Sequence, residues 1–165
     1  MIQSSLSLLA FAFIATACGA IKQLDNNTDN GGTGISKTYR DATSTVTCNG
    51  SPSHANLIGT WKKTYVGDKG DTIELRYIVD NFNTRFERTC SYNGQQIQSA
   101  ILVTSYITAD QQLVITQANA HTEQFTVGGE TVTCTISAKA IAMPFRLVGN
   151  CVAFIGDGTA NYFTP

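Results

Sequence analysis

The sequence predicts an all-β fold, an up-and-down antiparallel barrel of about eight strands, over residues 45–165. Three observations carry this. Apolar and polar residues alternate strictly in "DTIELRYIVD", where Ile73, Leu75, Tyr77 and Val79 share one face and Thr72, Glu74, Arg76 and Asp80 the other. In "ETVTCTISA", Val132, Cys134 and Ile136 likewise oppose Thr131, Thr133, Thr135 and Ser137. A period of two is that of a half-buried strand. Turn residues then punctuate the chain, with Asn93–Gly94, Gly128–Gly129 and Gly149–Asn150 supplying positive φ between hairpin strands. No segment shows a convincing helical period. "IQSAILVTSYI" is the nearest candidate, and its β-branched content suits a buried strand. Hairpins in succession make a meander, and closing it into a barrel removes exposed edges. Pro144 cannot donate to a ladder, so it marks a bulge or strand break near an edge.

Residues 1–17 read as a signal peptide. "LSLLAFAFIA" is an apolar run of signal-peptide length, too short to span a bilayer, and small residues follow it. "ATA" before Cys18 suits ordinary secretory cleavage, and "IATAC" also resembles the lipobox of bacterial lipoproteins, in which the cysteine becomes the first mature residue and carries lipid. Cysteine arithmetic favours the second reading. The chain has five cysteines, an odd number for an exported protein. Acylation of Cys18, by palmitate or a related chain, leaves four for two disulfides in an oxidising compartment. Each buried methylene contributes about 0.8 kcal/mol, so two or more chains anchor stably. Gly19 stands where such lipoproteins carry Asp for retention at the inner membrane, which leans the expected location in the bacterial cell envelope towards the outer membrane.

Residues 18–44 read as a lipid-anchored flexible tether. "LDNNTDNGGTGISK" is rich in Asn, Asp, Gly and Thr and has no apolar periodicity, so it buries too little surface to offset its ordering entropy. A Gly-rich chain of this length reaches on the order of 25–30 Å.

The remaining 120 or so residues make one domain, large enough to bury about two thirds of its unfolded surface. Its first strand begins "NLIGTWKKTYV". Here the chain resembles the lipocalin-like branch of the calycin superfamily, whose signature is Gly-x-Trp at the start of the first strand; Gly59 and Trp61 occupy those places. The resemblance implies an eight-stranded barrel with the tryptophan plugging its closed end. The family's Thr-Asp-Tyr motif, its arginine near the last strand and a C-terminal helix have no counterpart here.

Four cysteines allow three pairings. Cys90 shares a strand face with Phe86, and Cys134 shares one with Val132 and Ile136, so both point to the apolar interior. Cys48 precedes the first strand and Cys151 lies near the chain end, which a closed barrel makes neighbours. The expected bridges are Cys48–Cys151 and Cys90–Cys134.

Composition argues against several function classes. Net charge is −1 and charged residues are 14% of the chain, which gives no electrostatic case for nucleic acid. Arg76, Arg85 and Arg88 interleave with Tyr77, Phe82 and Phe86, but an exported neutral protein makes a nucleic-acid face improbable. His54 and His121 have no metal-ligand spacing, and "VGGETV" joins two strands rather than a strand and a helix, so it is a hairpin and not a phosphate cradle. Glu74, Glu87, Glu123 and Glu130 read as solvated. No catalytic constellation, cofactor motif or metal set emerges, so the expectation is a protein that is not an enzyme. An eight-stranded barrel can hold one small ligand. The expected function is therefore binding of a small apolar or amphipathic molecule, lined by Leu75, Tyr77, Val79, Phe86 and Phe125. The alternative is a protein-interaction module, an inhibitor or assembly factor working through surface loops.

Overall fold

The structure is a computed structural model and describes residues 35–36, 39–42, 48, 56–156 and 158–165. The expected signal peptide, Cys18, His54 and most of the expected tether lie outside the described residues.

Eleven strands are present among the described residues: β1 (Tyr39–Asp41), β2 (Gly59–Gly67), β3 (Thr72–Val79), β4 (Asn83–Tyr92), β5 (Gln95–Ile107), β6 (Gln112–Ile115), β7 (Asn119–Val127), β8 (Glu130–Ala138), β9 (Ile141–Val148), β10 (Cys151–Gly156) and β11 (Thr159–Phe163). Nine form one antiparallel sheet in the order β1-β2-β3-β4-β5-β6-β9-β10-β11, while β7 and β8 pair only with each other. The all-β class is as expected. "IQSAILVTSYI" lies within β5, the longest strand at 13 residues.

The sheet is strongly curled. Thr164, just past β11, exchanges two backbone hydrogen bonds with Lys62 of β2, at 2.7 and 3.0 Å. Further along the same edge of β2, β1 pairs Tyr39, Arg40 and Asp41 with Gly67, Val66 and Tyr65. The two ends of the sheet thus share one edge of β2.

Three expectations need correction. The meander is interrupted, because hairpin β7–β8 leaves the order between β6 and β9 and lies against the inner face of β4 and β5. Ser99 donates to the Cys134 carbonyl and Arg88 to the Thr135 carbonyl, at 2.9 Å for the latter. Second, β1 falls inside the segment read as a tether; its backbone is paired and its side chains reach buried partners described below. Third, Pro144 is not near a sheet edge. Residues 141–144 pair with β6 and residues 145–148 with β10, so the proline stands where β9 exchanges one neighbour for the other and a missing donor is tolerated.

Both disulfides form with the pairing reasoned above: Cys48–Cys151 with Cα atoms 5.4 Å apart, and Cys90–Cys134 with Cα atoms 5.8 Å apart. The second fixes the hairpin to β4. Each closes a long loop, worth about 2–4 kcal/mol.

Local chemistry explains the strand starts. Gly59 has φ 148°, a conformation that L side chains rarely adopt. It lets β2 begin beside Val79 and sets Trp61 inward, where the indole Nε1 donates to the Leu57 carbonyl at 2.8 Å. Leu57, Trp61, Val79, Leu113, Phe145 and Phe163 belong to the core at this end. Asn93 and Gly94 both have positive φ, 49° and 77°, as a type I′ hairpin turn requires.

Candidate functional site

Strand register arranges the inner face of β2–β5 in rows. Trp61, Tyr77, Phe86 and Ile101 lie in one row, and Tyr65, Ile73, Cys90 and Ile97 in another. Between them runs Lys63, Leu75, Arg88 and Ser99. The interior is therefore an apolar wall crossed by a polar belt.

The five residues expected to line a ligand site are not equivalent. Val79 and Phe86 are buried. Leu75, Tyr77 and Phe125 also face inward but remain partly accessible. Tyr77 sits centrally: its ring centroid is 4.7 Å from Phe86 in a T-shaped contact and 4.7 Å from Phe163. Such pairs contribute about 0.5–1.5 kcal/mol beyond area burial. Leu75 bridges the cores at the two ends of the sheet. Phe125 comes from the hairpin and packs on the cluster of Ile73, Cys90, Val132 and Cys134. The structure brings Leu75, Tyr77 and Phe86 onto one wall, with Phe125 on the facing hairpin and Val79 set apart beside Trp61.

The polar belt was not foreseen as part of the site. Lys63 is 1% exposed, and its Nζ lies 2.9 Å from Asp41 Oδ2. Its ammonium also stands 5.5 Å from the Tyr65 ring and 5.7 Å from the Phe163 ring, within cation–π range. Nearby, Asp71 is buried and accepts hydrogen bonds from Ser36 and Tyr39. Burial first, and then the hydrogen bond to Asp71 and its charge, hold the Tyr39 phenol well above the ordinary tyrosine range. A signal for the belt exists in the sequence. Lys63 has the parity of Trp61 and Tyr65, and Arg88 that of Phe86 and Cys90, so strict alternation already turns both cations inward.

Other expectations separate in space. Arg76 and Arg85 lie on the outer face, Arg88 with Tyr77 and Phe86 on the inner one, and Phe82 in the β3–β4 turn, so the basic and aromatic residues do not form one surface. Glu87, expected to be solvated, is buried on the outer face between Arg85 Nε at 2.7 Å and Arg76 at 3.4 Å. His121 pairs with Glu123 at 2.8 Å on the exposed hairpin. Among the described residues no group of three His, Cys, Asp or Glu side chains is placed to hold a metal ion, and no helix is long and apolar enough to cross a membrane.

Compared with protein families, curated proteins and solved structures, the chain matches none. The reading of its function rests on the geometry above.

Proposed function

We propose that the protein is a lipoprotein of the bacterial cell envelope, held through acyl chains on Cys18 and placed at the outer membrane, whose lipocalin-like barrel binds a small apolar or amphipathic molecule. It acts by binding, without covalent catalysis. The observation that carries the reading is the partial accessibility of Leu75, Tyr77 and Phe125 on inward-facing positions, with Phe86 buried beside Tyr77. Interior residues that solvent reaches are where an apolar ligand gains by displacing water. The neighbouring belt of Lys63, paired with Asp41, and Arg88, bonded to the Thr135 carbonyl, makes one border of this wall polar, which suits a ligand with one polar end.

Titration with a fluorescent amphiphile such as an anilinonaphthalene sulfonate tests this. Saturable binding to one site per chain, abolished by Leu75→Trp, is expected. Absence of saturable binding to the intact protein counts against it.

A second reading, an interaction module working through its surface, draws on exposed apolar residues. Phe82, Leu102 and Tyr106 are 73%, 57% and 48% exposed. A stoichiometric protein partner, recovered from envelope extracts and retained by Leu75→Trp but lost by Phe82→Ser with Leu102→Ser, would support it over barrel binding.

A further inference from the structure

The outer face of β2–β5 has its own register rows. Val66, Thr72, Ser91 and Gln96 form one, and Thr64, Glu74, Thr89 and Gln98 the next. Short hydroxyl side chains are set among longer Glu, Gln and Arg side chains. The result is an open groove of about 470 Å³, with Arg76 at one side; Ile97, its one apolar lining residue, belongs to the inner row and packs on the inner core. That volume falls in the usual range for ligand sites, about 300–1,000 Å³.

The polar groups of this groove are not used up within the protein. Among the described residues, the hydroxyls of Thr64, Thr72, Thr89 and Ser91 make no hydrogen bond, whereas Thr84, Thr122 and Thr126 are paired with Ser105, Thr135 and Thr131. Arg76 donates to Glu74 at 3.0 Å and to Glu87 at 3.4 Å, yet its Nε is buried with no acceptor. Gln98 also donates to Glu87, at 3.3 Å.

From this arrangement we infer that the outer face of β2–β5 is a second binding site, for a neutral, polyhydroxylated ligand of the saccharide class. The hydroxyls and carboxamides each both donate and accept, so the ligand must offer both kinds of group at high density. Carboxylates already neutralise Arg76, the one cation lining the groove, so the lining itself has no excess positive charge to draw a phosphate or an acidic peptide. With Ile97 packed on the inner core, it offers no apolar anchor for a hydrophobic side chain. A chain of sugar hydroxyls meets these conditions. The site is independent of the barrel interior, since inner and outer residues alternate along the same strands.

The test is ¹⁵N NMR titration of the folded domain with maltohexaose, cellohexaose and chitohexaose. At least one should produce saturable shifts at the amides of Thr72, Thr89, Ser91 and Gln96. Thr89→Val and Ser91→Ala remove hydroxyls with little change of shape, and each should weaken that binding about five- to tenfold. Leu75→Trp, inside the barrel, should leave it unchanged, so this site and the interior site can fail separately. The inference is overturned if none of the three sugars shifts these amides, or if spectra show both hydroxyl variants folded and binding as tightly as the parent.

Discussion

Lys63 Nζ lies 2.9 Å from Asp41 Oδ2, with side chains 1% and 10% exposed. This contact joins β2 to β1, so it holds the short first strand on the sheet. Removing one member of a buried pair leaves the other charge without compensation, at a cost of about 3–5 kcal/mol. Asp41→Ala should therefore lower the urea midpoint strongly, and adding Lys63→Met should restore much of the loss. Equal effects of Asp41→Ala in the presence and absence of Lys63 would show that the pair is not coupled.

Tyr39, two residues before Asp41 on the same face, gives the pH dependence. Its folded-state pKa is raised, by burial and then by Asp71, so the folded protein holds the phenol proton more tightly than the unfolded chain. That stability is fully present below the ordinary tyrosine pKa of about 10 and is lost as pH rises above it. Alkaline urea titrations should show a steeper fall above pH 10 for the parent than for Tyr39→Phe. Parallel curves would place Tyr39 in an ordinary solvated setting.

The Cys90–Cys134 bridge closes a sequence separation of 44 residues and fixes the hairpin. Cys90→Ala with Cys134→Ala should cost about 2–4 kcal/mol. Hydrogen exchange should quicken in β7 and β8 more than in β3, because the hairpin pairs with no strand outside itself. Uniform quickening across both would mean that the bridge stabilises the whole fold without a local role.

Much of the fold was legible in the sequence because alternation reports directly which residues share a face. Ile73 to Val79 and Val132 to Ile136 needed nothing else, and the cysteine faces led to the disulfide pairing. Alternation does not say which layer a strand joins. Val132, Cys134 and Ile136 would alternate identically within a barrel wall or in a hairpin laid across it, so the departure of β7–β8 was not visible. Tyr39–Asp41 is too short for a period to show, and its place depends on the distant Lys63 and Asp71. Glu87 was read as solvated because charge usually signals water; its burial follows from Arg76 opposite it on β3 and Arg85 two residues before it on β4. The inward faces of Leu75, Tyr77 and Phe86 were legible, but those of Lys63 and Arg88 were overlooked for the same reason as Glu87.

Anchoring is tested at Cys18. In a bacterial host, the Cys18→Ala protein should pass from the membrane fraction to the soluble one, if the membrane affinity comes from the proposed acyl chains. Continued sedimentation with the membrane would rule out the lipobox reading, whatever the outcome for the proposed interior ligand.

Native mass spectrometry of the protein, released gently from the membranes of its host, bears most directly on the proposed binding of a small molecule by the inner face. The expected spectrum shows one small apolar or amphipathic molecule per chain, beyond the mass of the N-terminal acyl chains, exchangeable with added amphiphile and absent from Leu75→Trp. A spectrum of the chain alone, with no adduct even after incubation with lipid extract, would contradict the proposed binding at the inner face.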